Sequence, residues 1–296
     1  MNISIKKIVI GLVLLVLGYF LYKAIGIGTA LYRAKVGFNN FDTHPPQLSL
    51  DTKDFNVLIY SKTNGWIHED AIDASKEVFR ELGHKNNWKI TVSDNGAIFN
   101  NQQLPYFDVV VWNNVTGQTL NEEQRNAFKK YMITGGGFVG IHGSGDSSHH
   151  WNWYYEALIR ALFSHHPMEP QFQTAELSRE CSPLFAACEL LPEKWSWEDE
   201  WYVFYESPRK KGSTVLYNLE ETNLVMSGEF KGMQADKNWG MGNDHPVAWY
   251  HCLDKGRVFY TAMGHKGSYF YKTNYKKLLV EAIKWAGDST IKCDTP

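Results

Sequence analysis

The sequence predicts an α/β protein: a doubly wound, mostly parallel sheet with helices on its faces, preceded by an N-terminal transmembrane helix. Three observations carry this reading. Residues 56–61, 108–113 and 138–141 are segments of strand length built on continuous apolar runs, the pattern of strands covered on both faces. Amphipathic stretches between such runs give a β-α-β-β-α-β rhythm. Residues 8–22 are uninterrupted apolar, just after Lys6 and Lys7.

Residues 1–35 form a segment of their own. After Lys23 the apolar character resumes to Tyr32, and with Lys23 snorkelling the stretch is long enough to span a bilayer. An uncleaved membrane anchor is expected; the alternative is a signal peptide cut after Gly28-Thr29-Ala30. Lys6 and Lys7 favour an inside N-terminus, while Lys23, Arg33 and Lys35 pull the other way. Either export route places the main domain outside the cytoplasm. Residues 36–53, with Pro45-Pro46, read as a linker, and 54–290 as one α/β domain.

The first strand, 56–61, is followed by a loop holding Gly65, Trp66 and His68. A helix is expected over 70–82, with Ile72, Val78, Phe79 and Leu82 inward and Gly83 ending it. Strands follow at 89–93 and 108–113. Asn121-Glu122-Glu123-Gln124 reads as a capping box opening a helix to Ile133, and Gly135-Gly136-Gly137 lead into the strand 138–141. The next helix is expected over 151–163. Residues 164–244 are less regular, with a short helix at 183–188, a strand at 214–219 and a Gly- and Asn-rich loop at 220–242. Strands 247–253 and 257–262 flank Asp254-Lys255-Gly256, a hairpin signal, and an amphipathic helix over 274–286 closes the domain.

Composition narrows the function. The net charge of −2 and the absence of a basic tract argue against electrostatically driven nucleic-acid binding. Eleven Trp suit stacking on sugar rings as well as filling a core. Cys181 and Cys188 are close enough in sequence to bridge in an oxidising compartment, or else are two buried thiols; Cys252 reads as a core residue.

Three histidines share one relation to the expected strands. His68 lies in the loop after the first, His142 ends the fourth, and His265 follows the last. Parallel strands would bring all three to the carboxyl edge of the sheet, where open α/β sheets bind ligands. Imidazoles there suit proton transfer on a sugar hydroxyl or keto group. Glu200, set among the aromatics of Glu198-Asp199-Glu200-Trp201-Tyr202, is a fourth catalytic candidate. Trp66, Asp146, Trp201, Asp244, His245 and Trp249 are candidate sugar contacts. His245 precedes its strand, so it reaches that edge only if the strand runs antiparallel.

A divalent metal such as zinc is an alternative role for His68, His142, His245 and His265, although no local metal motif marks them. His165-His166-Pro167 either contributes or turns the chain, and His149-His150 reads as solvent-exposed. No nucleophile elbow, HExxH pair, phosphate-binding loop or dinucleotide fingerprint occurs.

A series of ordered motifs resembles the ThuA-like family, named for trehalose utilisation. They are Ser61-Lys62-Thr63 with Gly65 and His68; Asn114, Thr116-Gly117 and Leu120-Asn121; Gly135 through His142; Ser164-His165-His166-Pro167; Asp199-Glu200-Trp201-Tyr202; Asp244 through Trp249; and Gly256 through His265. The resemblance implies a flavodoxin-like sheet of the class I glutamine amidotransferase type and a role in carbohydrate utilisation. In those amidotransferases a nucleophilic cysteine follows the glycine-rich strand. Here that place holds His142, so glutaminase activity is not implied. A small-molecule carbohydrate is the expected ligand, and a non-catalytic, membrane-tethered sugar-binding module is the competing expectation.

Overall fold

The computed structural model describes residues 5–35, 37–49, 51, 54–229 and 237–293. Parts of the expected linker and of the 220–242 loop lie outside the described residues.

The strands are β1 (Phe55–Tyr60), β2 (Trp88–Ser93), β3 (Val109–Asn113), β4 (Gly137–Ile141), β5 (Phe163–His165), β6 (Gln173–Arg179), β7 (Lys194–Asp199), β8 (Val203–Phe204), β9 (Thr214–Leu219), β10 (Pro246–Leu253) and β11 (Gly256–Thr261). The helices are α1 (Ile5–Lys35), α2 (Glu69–Asn86), α3 (Glu122–Ile133) and α4 (Thr273–Gly287). One sheet has the order β2-β1-β3-β4-β11-β10-β9-β6-β7, and β5 pairs with β8 separately.

The sheet has two halves. The strands β2-β1-β3-β4-β11 pair in parallel. From β11 onward every pairing is antiparallel. The doubly wound reading therefore holds for five strands, and the antiparallel half is larger than expected. β3 and β4 are buried at every position, as their apolar sequence requires; the polar Asn113 at the end of β3 donates to Ser61 and Ser75 Oγ.

Alternation puts Trp112 and Phe138 on one face, where Phe128 of α3 stacks on Trp112 at 5.7 Å. Their neighbours Val111 and Val139 turn to the other face, against which α4 packs its apolar side. α3 opens with the expected capping box, in which the Asn121 and Gln124 side chains each accept from the other's backbone N–H.

Four expectations change. Gly83 does not end α2, which continues to an αL cap at Asn87. Gly83 is instead a close-approach position, since a Cβ there would lie 2.4 Å from the Ile90 side chain. The helix expected over 151–163 shrinks to one turn, Tyr154–Leu158: Arg160 takes φ 56°, and residues 163–165 are drawn into pairing with β8. β6 was not expected, because its inward residues Gln173 and Ala175 blur the alternation. Cys252 is not a free core residue but is joined to Cys293; Cys181 and Cys188 form the second disulfide.

Within α1, Val9–Thr29 is 21 residues long, has a mean hydropathy of 2.1 and is entirely unburied; by length and composition it suffices to cross a membrane.

Candidate functional site

The strand directions explain how the site assembles. β1, β4 and β11 run the same way, so His68, His142 and His265 leave the sheet at one edge. Four antiparallel steps separate β11 from β7, an even number, so β7 also runs in that direction. Its end, Asp199, delivers Glu200 to the same edge. The sheet curls enough for Trp197 of β7 to pack on Tyr275 of α4 at 5.4 Å.

His142 follows β4 directly, at φ 41°, a left-handed conformation costing a non-glycine residue about 1–3 kcal/mol. Its carbonyl accepts from Tyr260 Oη at 2.9 Å. Its Nδ1 lies 2.7 Å from the Ala262 carbonyl. A carbonyl only accepts, so Nδ1 carries the proton and leaves the Nε2 lone pair free in the neutral ring. That Nε2 sits 3.0 Å from His265 Nδ1 and 3.4 Å from Glu200 Oε2. His265 Nδ1 is 3.1 Å from the same Oε2.

His68 meets both rings edge-on, at centroid distances of 4.9 and 4.8 Å, and its buried Nδ1 has no hydrogen-bond partner. One donor atom from each of His68, His142, His265 and Glu200 lies within 4.8 Å of all the others. Three imidazoles and a carboxylate brought this close suit a divalent cation of the zinc type.

Supporting groups fix this arrangement. The buried Asp199 carboxylate accepts from Gly264 N at 2.8 Å, Trp197 Nε1 at 2.9 Å and Glu200 N at 2.9 Å, and from His265 N at 3.3 Å. It ties the end of β7 to the loop carrying His265. The other Glu200 oxygen, Oε1, accepts from Gln171 Nε2 at 2.5 Å and lies 3.2 Å from His166 Nδ1. Tyr202 packs on the His142 ring at 4.4 Å.

The electrostatics follow from crowding. Burial pushes the Glu200 carboxyl up, but hydrogen bonds from His142 and His265 and the nearby His166 outweigh it and hold it well below the carboxylate range. Burial would lower His142, yet Glu200, Asp199 and the Ala262 carbonyl lift it. Burial, then repulsion from His142 and His265, keeps His68 well below the usual imidazole range. Around one buried carboxylate, His142 is thus pushed up and His68 down.

Residues 56–286 match the family model ThuA, described as trehalose utilisation. The chain belongs to the ThuA family. A ThuA-like protein from Bacteroides uniformis shares the fold at a TM-score of 0.64 and 23% identity, over 82% of this chain and 95% of its own. A ThuA-like protein from Parabacteroides merdae does so at 0.59 and 17%, over 82% and 92%. A search of curated protein sequences gave no match.

The other residues singled out from the ThuA sequence lie elsewhere. Trp66 is exposed, two residues before His68. Asp146 accepts from Ser148 N at 2.7 Å and caps a local turn. Asp244 is on the surface, paired with Arg209 at 2.8 Å. His245 does not join the other histidines: its ring nitrogens face Glu221 Oε1 at 2.6 Å and the Tyr202 carbonyl at 2.9 Å. Trp201 and Trp249 are core residues, each donating its indole N–H to a main-chain carbonyl, so neither offers a ring face to a ligand.

His149, expected in solvent, is buried, with its nitrogens 3.0 Å from the Gly117 and Ser144 carbonyls. Sequence reasoning passed over Gln171 and Asp199 and left His166 undecided. The motifs Ser164 through Pro167 and Asp199 through Tyr202 were the available signal for two of them.

Proposed function

We propose that this ThuA-family protein binds a divalent cation on His68, His142, His265 and Glu200, and uses that centre to handle a saccharide of the trehalose or related glycoside class. The observation that carries this reading is the convergence of four donor atoms, with His68 Nδ1 buried and unpartnered. A bound cation of this type would polarise a sugar hydroxyl or carbonyl oxygen. The protein's own part is positional. The Ala262 carbonyl sets the His142 tautomer, Asp199 holds the His265 loop, and Gln171 and His166 orient the carboxylate.

Glutaminase chemistry is not part of the proposal. The position after Ile141 holds an imidazole rather than a thiol, and all four cysteines are in disulfides. The two disulfides favour an oxidising compartment, and the unburied apolar α1 favours a membrane anchor with the domain outside the cytoplasm.

The test is elemental analysis of the purified full chain, followed by zinc and trehalose titrations of wild type and His142→Ala. About one cation per chain, with metal and saccharide binding both weakened in the variant, is expected. Metal-free protein whose saccharide binding survives the substitution would refute the reading. The exposed Trp66 favours a second one, a binding module without turnover. Saccharide binding abolished by Trp66→Ala but unaffected by His142→Ala is its signature.

A further inference from the structure

We propose that the carboxyl edge of the sheet, with the histidine cluster, is held against the surface of the membrane that carries α1. The inference rests on reading α1 as an anchor. It is drawn from where the chain attaches after that helix.

The segment following α1 is not a free tether. Gly37 N donates to the Tyr32 carbonyl at 3.1 Å, and Phe38 N donates to the Asn64 carbonyl at 2.7 Å. Asn64 Nδ2 returns a bond to the Asn40 carbonyl at 3.1 Å. The Asp42 carboxylate pairs with Lys62 and accepts from Gly96 N at 2.7 Å, and its carbonyl accepts from Gln124 Nε2 at 2.7 Å. Asn95 Nδ2 holds the His44 carbonyl at 3.0 Å.

These partners lie in the segments that follow β1, β2 and β3, which emerge at the edge where the cluster sits. Packing there is tight: Gly117, at φ 72°, leaves no room for a Cβ, which would fall 2.4 Å from Gly65 N. Asn64 is four residues from His68, a chain distance of at most about 14 Å. Thr116 Oγ1 donates to the Trp66 carbonyl, tying the loop after β3 to the loop that carries both Asn64 and His68.

The side chains around the attachment fit a lipid headgroup boundary. Phe38, Trp66 and Ile67 are 39, 47 and 42% exposed, and Tyr32, at the end of α1, is 50% exposed and packs on Phe38 at 5.4 Å. Aromatic residues favour this interface because one end of the ring system is apolar and the other polar. The patch is continuous with the unburied apolar helix, which identifies the bilayer as its occupant. At the opposite edge, Asp108, Gly135, Arg257 and Ser289 line a polar recess.

The full chain, reconstituted in phosphatidylcholine–phosphatidylglycerol vesicles, provides the test. The disulfides leave no thiol to compete with an introduced one, so Ile67→Cys and Ser289→Cys, both at exposed positions, are each labelled with a small fluorophore. Lipids with a nitroxide near the headgroup serve as quencher. Loss of most of the emission at position 67, with none at 289, is expected. A chain that resists alkaline extraction from the vesicles but shows equal or no quenching at the two positions overturns the orientation and spares the anchor. A chain extracted by that wash, or recovered from cells cut after Ala30, overturns the anchor and the orientation with it. The metal-binding reading is decided separately, by its own titration.

Discussion

The buried histidines of the antiparallel half and those of the clustered edge use their nitrogens differently. In the antiparallel half, His245 faces Glu221 and the Tyr202 carbonyl. His251 faces Ser213 Oγ at 3.0 Å and the Ala157 carbonyl at 3.3 Å. Every ring nitrogen of that pair has a fixed protein partner. At the edge of the parallel half, one nitrogen of His142 is fixed by a carbonyl while the other meets His265 and Glu200, and a nitrogen of His68 meets nothing. Burial does not separate the two groups, because His142, His245 and His251 are all buried. Convergence of ring nitrogens on one another and on a single carboxylate does.

Substituting one member of each group is the sharpest way to break the comparison. His142→Ala should weaken zinc binding by at least about 100-fold, more than the usual effect of losing one supporting group around a metal. Competition titration against a chromophoric chelator measures it. Wild-type affinity in the variant would mean that the converging nitrogens are not ligands. His245→Ala should leave zinc affinity unchanged but cost about 2 kcal/mol in denaturant unfolding, because it removes one charge-assisted hydrogen bond of the Glu221 carboxylate and leaves that from Met241 N. Burial raises that carboxyl and the His245 hydrogen bond more than offsets the effect, so the pair is a structural unit.

His251 gives a pH signature. Burial, followed by the Arg160 charge, depresses it to about 3 from an ordinary value of 6.5. Between those values the unfolded chain binds a proton that the folded chain refuses, so stability falls as pH drops below about 6.5. The slope is roughly 1.4 kcal/mol per pH unit from this group. In His251→Asn that contribution should vanish from the unfolding curve between pH 6 and pH 4; an unchanged slope would assign the acid sensitivity elsewhere.

The smallest expected effect is at Asp199→Asn, about tenfold in zinc affinity. All four groups facing Asp199 are N–H donors, so an amide nitrogen there meets a donor and loosens the loop bearing His265. Unaltered affinity would show that the loop holds His265 without that carboxylate.

The same contrast explains what could be read in advance. The central parallel strands were legible because both faces are covered and each is built on a run of consecutive apolar residues, 57–60, 109–112 and 138–141. Once those strands were placed, position at a strand end put His68, His142 and His265 at one edge. β6 was illegible because Gln173 faces inward, its amide meeting the Val225 main chain at 2.7 and 2.8 Å. Trp201 and Trp249 were misjudged as ligand platforms because sequence does not show where an indole N–H finds its acceptor. His166 and Gln171 reach Glu200 from an irregular segment, where no period predicts which residue faces what.

The strap of residues 37–46 has a consequence for movement. A slack linker over 36–53 would let the domain wander through a radius of roughly 24 Å around its point of attachment. Hydrogen bonds fastening 37–46 to the domain remove most of that slack. With α1 as the proposed anchor, so short a lead would confine the domain to a thin layer rather than a volume. Under that proposal, encounters with ligands would be set by lateral diffusion and surface density, and bulk concentration would matter less than how much ligand the surface collects.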